Sequence, residues 1–163
     1  MRRIAAQILN PIAIALVATL LVAGCASKKV PNSAADLGLA GNATPGSSQD
    51  FTVNVGDRIF FDTDSSSIRA DAQATLTKQA QWLNRYNRYA ITVEGHADER
   101  GTREYNLALG DRRANATKNY LAARGVSASR MTTISYGKER PVAMGSDDQS
   151  WAANRRAVTV VLN

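Results

Sequence analysis

Residues 92–125 read TVEGHADERGTREYNLALGDRRANATKNYLAARG, and this run decides the fold. Ile91 and Val93 alternate with Thr92 and Glu94, the period of a strand with one face on a core. A dense polar loop follows, carrying His96, Asp98, Glu99 and Arg100. Thr102 then has the hydroxyl of an N-cap, and Gly125 is suited to a left-handed stop, so the segment between them, 103–124, reads as one long helix. On that helix, positions 106, 110, 113, 117 and 121 share a stripe, and they are Asn, Gly, Arg, Thr and Leu. Arg113 therefore sits among small and apolar neighbours, where a guanidinium requires a partner because a partly buried unpaired charge is costly. Charges crowded where a strand ends and a helix begins, beside the free N–H groups of the helix start, mark a binding site.

Working outward, Arg58–Phe61 reads as a strand extended back through Val53 and Val55, and residues 62–67 (Asp-Thr-Asp-Ser-Ser-Ser) as a polar loop. Ala72, Leu76, Ala80 and Leu83 have helical spacing within 70–87, with Trp82 and Tyr86 beside them and Asp71 placed to suit the helix dipole. A strand over 90–95 precedes the polar loop, and another over 131–136 follows the long helix. Residues 138–145 form a loop containing Pro141, 147–154 a short helix around Trp151, and the β-branched run 156–162 a closing strand. The order β-α-β-α-β-(α)-β predicts an α+β two-layer sandwich, with a mixed four-stranded sheet and its helices on one face. The order of the strands within the sheet is not legible from this pattern.

The N-terminus carries a different message. Arg2 and Arg3 precede an apolar run from Ile12 to Ala23, broken by Thr19. That run is shorter than the ~20 residues a spanning helix needs and has the proportions of a secretory signal peptide. It ends in Leu21-Val22-Ala23-Gly24-Cys25, which resembles the lipobox of bacterial lipoproteins. The resemblance implies cleavage before Cys25 and lipidation of that residue, the one cysteine of the chain. No Asp follows the cysteine, which by the same resemblance favours the outer membrane. Residues 26–50, rich in Gly, Ala, Ser, Asn and Pro, bury too little to offset their ordering entropy and read as a flexible linker spanning on the order of 30 Å. The expected organisation is thus signal peptide 1–24, lipidated cysteine and linker 25–50, and one domain over 51–163.

Composition narrows the chemistry. Net charge is +6, and setting aside Arg2 and Arg3 leaves 18 basic against 14 acidic residues. No basic run with interleaved aromatics points to nucleic acid. His96 is the one histidine, so no metal site is expected, and a hydrogen bond within its loop is the role read for it. Asp98 lies in the loop leading to the helix of Arg113. The two residues either pair with each other or flank a ligand carrying both an ammonium and a carboxylate, Asp98 taking the first and Arg113 the second through parallel hydrogen bonds; spacing leaves both readings open. Glu99 and Arg100 read as a solvated rim or a partner surface, with ligand contact the lesser alternative, Arg155 and Arg156 as salt-bridging or site-reaching, and Trp82 and Trp151 as packing residues. Hydrolysis of a glycan would require two carboxylates across a cleft, which the adjacent Asp98 and Glu99 do not supply, so no enzymatic role is expected.

The run from Thr92 to Thr102, with Glu104-Tyr105-Asn106 and Leu109-Gly-Asp-Arg-Arg-Ala114, resembles the OmpA-like domains of the peptidoglycan-associated lipoproteins. Tyr136-Gly137-Lys138-Glu139, Pro141 and Asn154-Arg155-Arg156-Ala157-Val158 match the later motifs of that family, and the lipobox and linker match its N-terminus. Arg103 stands where the family often has proline, and the serines after Phe61 stand where bulkier residues are usual. The resemblance implies an outer-membrane lipoprotein that holds peptidoglycan non-covalently through the meso-diaminopimelate of the stem peptide. It implies partnership with TolB and the other Tol components in envelope integrity and cell division. Carried over by position, Asp98 takes the ammonium and Arg113 the carboxylate, with Asn106, Thr102 and the Asp62 loop contributing, and with no cofactor beyond the lipid on Cys25. The alternatives are an enzyme acting on peptidoglycan and a stator-type wall anchor. The stator type needs a retained membrane helix, for which the apolar run is too short.

Overall fold

The computed structural model describes residues 43–162; the signal peptide, Cys25 and the linker as far as residue 42 lie outside the described residues. In chain order come α1 (Ser48–Asp50, continuing as a π-helix over Phe51–Gly56), β1 (Arg58–Phe60) and α2 (Ala70–Arg85). They are followed by β2 (Ala90–His96), α3 (Arg103–Ala122), β3 (Met131–Gly137), α4 (Asp148–Asn154) and β4 (Arg156–Leu162). The sheet order is β1-β4-β2-β3. β4 is antiparallel to both β1 and β2, and β2 is parallel to β3 across the α3 crossover. The mixed four-stranded sheet and two-layer architecture are those the element order predicts, and the structure adds that the last strand inserts between the first two.

Two expectations at the N-terminal edge are corrected. Val53 and Val55 do not extend β1; they lie in the π-helical turn. The packed region also begins before residue 51. Asp50 accepts hydrogen bonds from the Gly46 N–H (2.9 Å), Asn54 Nδ2 (2.8 Å) and Trp82 Nε1 (2.8 Å), and the Gly46 carbonyl accepts from Tyr89 Oη at 2.8 Å. These contacts wind the backbone into a helix where alternation alone reads as a strand. Burial pushes the Asp50 carboxyl up, but the bonds from Asn54, Gly46 and Trp82 outweigh it and hold the group below the usual carboxylate range.

The core fills the space between one sheet face and α2 and α3. Ile59, Ile91, Val93, Met131 and Ala157 from the sheet meet Leu76, Leu83, Ala114 and Leu121 from the helices. Each of the larger side chains stabilises the fold by about 1.5–3 kcal/mol through burial. Gln79, fully buried on α2, is satisfied at both ends, donating to the Gly56 carbonyl at 2.6 Å and accepting from Thr159 Oγ1 at 2.9 Å. The feature that positions the site is the crossing of α3 over β2. A Cβ on Gly95 would land on the Gly110 carbonyl oxygen. A glycine in mid-helix costs about 1 kcal/mol relative to alanine; here it permits backbone-to-backbone contact, which brings the start of α3 close to the end of β2.

Candidate binding site

At the C-terminal end of β2 the chain opens into a cavity of about 290 Å³ lined by Thr63, Asp64, Asp98, Arg100, Gly101, Tyr105, Asn106, Leu109 and Arg113. Its wall on α3 is a helical stripe, 105, 106, 109 and 113. Thr102 caps that helix, its hydroxyl accepting from the Tyr105 N–H at 3.2 Å, so the start of α3 is fixed beside the cavity.

Arg113 is the largest fully buried side chain, 0% exposed. Its guanidinium is held by backbone rather than by acids. Nε donates to the Ser65 carbonyl at 2.8 Å, Nη1 to the His96 carbonyl at 2.8 Å and Nη2 to the Asp62 carbonyl at 3.1 Å. The ring of Phe61 lies 5.1 Å from Cζ. A guanidinium has five N–H donors, so this cage fixes its plane and leaves two for another acceptor. Burial and then the nearby Arg155 lower its pKa to about 10, partly offset by Asp98 and Asp64, so it is cationic at neutral pH.

Asp98 is 7% exposed and is not paired with Arg113. Its Oδ1 accepts from the Arg100 N–H and Nε, both at 3.2 Å, and its Oδ2 from Arg100 Nη2 at 2.7 Å and Arg155 Nη1 at 3.3 Å. Burial raises its pKa, but these bonds prevail and hold it below the usual carboxylate range. Of the two readings left open by spacing, direct Asp98–Arg113 pairing is not realised; the carboxylate and the guanidinium each face the cavity with separate partners. The lining carries two acids, Asp64 and Asp98, and two bases, Arg100 and Arg113, a balance suited to a small zwitterion.

A family model described as the OmpA family matches residues 60–155. Over 163 residues, 99% of this chain and 97% of the relative, the sequence is 72% identical to a peptidoglycan-associated lipoprotein of Mesorhizobium japonicum. The same identity and coverage hold for one of Brucella melitensis. The chain belongs to the peptidoglycan-associated lipoproteins of the OmpA family. Among solved structures, the peptidoglycan-associated lipoprotein from Burkholderia pseudomallei is 44% identical with a TM-score of 0.66, covering 69% of this chain and 97% of that one. The C-terminal domain of Helicobacter pylori MotB, 22% identical with a TM-score of 0.61 over 66% of this chain and 84% of that one, shares the fold alone.

Within this member of the peptidoglycan-associated lipoproteins, the residues singled out from sequence part into two groups. Asp98, Asn106 and Arg113 meet at the cavity; Asn106 donates to the Arg100 carbonyl at 2.8 Å and braces the loop. Asp62 and Thr102 do not line it. The Asp62 carboxylate faces solvent and pairs with Arg69 at 3.2 Å, and only its carbonyl serves the site, through Arg113. Thr102 acts as the cap. Arg100, read as rim, is a wall of the cavity, its guanidinium 4.2 Å from the Trp151 ring. Arg155 reaches Asp98, whereas Arg156 turns to the Arg140 carbonyl at 3.1 Å.

His96 departs from expectation. It is 2% exposed, with neither ring nitrogen hydrogen-bonded among the described residues. Glu94 Oε2 stands 3.6 Å from Nε2, too far for a hydrogen bond. Burial, then Arg156 and Arg140, lower its pKa to about 3, so the ring is neutral, packed 5.5 Å from the ring of Tyr136. Thr63 and Asp64 lie in the Asp62 loop and Gly101 in the loop from Asp98 to Thr102, both expected at the site; the cavity residues missed from sequence are Tyr105 and Leu109. Tyr105 and Leu109 were findable, since they precede Arg113 by two turns and by one on the same helical face.

Proposed function

We propose that this chain is an outer-membrane lipoprotein, anchored through lipid on Cys25, that holds peptidoglycan non-covalently by the free end of meso-diaminopimelate. The observation that carries the reading is a buried guanidinium caged by three carbonyls with donors to spare, facing across a small cavity an ionised carboxylate that it does not touch. Diaminopimelate ends in an ammonium and a carboxylate on one carbon. The carboxylate takes the two remaining donors of Arg113 in a charge-assisted pair, and the ammonium takes Asp98. The four contacts on Asp98 fill its lone-pair sites, so one yields on binding. Arg100, whose side chain is 41% exposed against 13% for Arg155, is the more accessible to solvent. The names of the relatives, peptidoglycan-associated lipoproteins, support the same ligand class.

The site holds and does not catalyse. Asp98 is kept ionised by arginines and has no proton to give, and a pKa held below the usual carboxylate range makes it a weak base. Work with TolB and the other Tol components in envelope integrity and division belongs to this reading through the family resemblance.

The test is co-sedimentation with purified sacculi of diaminopimelate type and lysine type. Lysine lacks the terminal carboxylate, so wild type pellets with the first and stays in solution with the second. Asp98→Asn weakens binding to diaminopimelate sacculi at least about tenfold, the worth of one charge-assisted bond. Equal sedimentation with both walls refutes the ligand. For the anchor, Cys25→Ser moves the protein from membranes to the soluble fraction, and continued lipid labelling of that variant refutes lipidation at Cys25.

A further inference from the structure

Two of the three carbonyls that cage Arg113 belong to the loop after β1, those of Asp62 and Ser65. Between them stands Asp64 with φ 55°, the one non-glycine residue at positive φ among the described residues. That conformation places Cβ against the backbone, and Asp and Asn are among the few side chains that tolerate it. Here it reverses the chain so that the carbonyls of 62 and 65 converge on one guanidinium. From its own side the turn is held by exposed contacts, with the Asp62 carboxylate paired to Arg69 at 3.2 Å. Ser65 N–H donates to the Asp62 carbonyl at 3.3 Å, and Asp62 and Thr63 are exposed. Arg100 Nη2 reaches Thr63 Oγ1 at only 3.5 Å.

A second tie, at the exposed tip of the turn, comes from α3. Tyr105 Oη donates to Asp64 Oδ1 across 41 residues of sequence. Tyr105 lies eight residues before Arg113, two helical turns along the same face. One helix therefore grips the turn twice, by the Arg113 guanidinium within and by the Tyr105 phenol at its tip. Arg112 stands 5.8 Å from the Tyr105 ring. The hydrogen bond to Asp64 raises the phenol pKa above its ordinary value, so Tyr105 remains a donor throughout the neutral range.

We propose that Asp64 and Tyr105 are positioning residues for Arg113. Their hydrogen bond locks the 62–65 turn onto α3 and so keeps two of the carbonyls that orient the guanidinium toward its ligand. This rests on the diaminopimelate reading for its affinity measurement, though not for its structural one.

The experiment uses the full chain in detergent, with Tyr105→Phe, Asp64→Ala, Asp64→Asn and the Tyr105→Phe/Asp64→Ala double variant. Two quantities are measured on each: affinity for a soluble meso-diaminopimelate muropeptide by calorimetry, and exchange of the Arg113 Nε–H by NMR without ligand. Circular dichroism reports that each variant folds. Tyr105→Phe and Asp64→Ala each weaken affinity about threefold, the worth of a solvent-exposed hydrogen bond, and speed Nε–H exchange by a similar factor. The double variant is no worse than either single one, because one bond is removed in all three. Asp64→Asn, which keeps the acceptor and tolerates positive φ, recovers most of both losses. Unchanged exchange in Tyr105→Phe overturns the proposal. So does Asp64→Asn as poor as Asp64→Ala, which would assign Asp64 a purely electrostatic role. If wild type fails to bind the muropeptide, the ligand assignment falls, and the exchange series still decides the lock.

Discussion

The two ends of β2 are built from opposite chemistries. At its start, Phe51, Trp82, Tyr86 and Tyr89 pack with ring centroids 4.8–5.3 Å apart, and Arg88 stands 4.6 Å from the Tyr89 ring. Here the chain enters the domain from its N-terminal side, with Gly46 and Asp50 bonded to that cluster. At the other end, seven residues and about 20 Å along the strand, stand Asp98, Arg100 and Arg113 around a cavity. The starting end is closed, with apolar area as its main stabilisation. The cavity end buries charge, satisfies it with backbone carbonyls and keeps donors in reserve. The difference teaches where function costs stability: a guanidinium caged by peptide oxygens is rigid and available, yet contributes less than hydrocarbon would in its place.

The strongest way to break this contrast is Arg113→Ala. Three carbonyls, that of His96 buried and those of Asp62 and Ser65 partly so, lose their donor and a fully buried side chain leaves a void, and the expected loss is about 3–5 kcal/mol in denaturant unfolding, well beyond a surface change. A loss under 1 kcal/mol would mean that the cage is not structural. Failure of this variant to bind sacculi therefore reports on folding as well as on recognition, which makes Asp98→Asn the cleaner probe.

Asp50→Ala tests the other end. It leaves Trp82 Nε1 and the Gly46 N–H without their acceptor, for a loss of about 1–2 kcal/mol, while sedimentation with sacculi stays at the wild-type level. Reduced wall binding would show that the two ends are coupled.

His96 sharpens the contrast by pH. Its folded value of about 3 lies below the ordinary 6.5. Between these values the unfolded chain binds the extra proton, so stability is full above pH 6.5 and is lost as pH falls toward 3. Over the first unit below 6.5 the loss is about 1 kcal/mol, approaching 1.4 kcal/mol per unit further down. His96→Gln removes this slope until the carboxylates titrate, and parallel curves for the two proteins would show that His96 is not buried neutral.

The distinction between local and distant partners explains what could be read in advance. β4 falls at the expected residues, and the other major elements fall within two, because Leu76, Leu83, Ile91 and Val93 repeat at the spacing of their own elements. The Thr102 cap and the left-handed Gly125 (φ 90°) depend on neighbours a few residues away. Val53 and Val55 misread as strand because what winds that segment is Trp82, 32 residues from Asp50. The partners of Arg113 lie 48, 51 and 17 residues away, and Asp64 meets Tyr105 at a separation of 41. No period in the chain encodes such meetings.

Sequence by itself determined the alternation of strands and helices, the family, and the presence of an acid and a buried-leaning guanidinium at one strand-to-helix junction. Those follow from hydrophobic period, caps and motif, all local. Tertiary structure alone decided that β4 inserts between β1 and β2, that Asp98 and Arg113 face a cavity without pairing to each other, and that two carbonyls from a separate loop help to cage the arginine. The physical reason is that a buried charge is satisfied by whichever polar atoms the packed fold brings to it; here the Gly95–Gly110 contact sets that geometry.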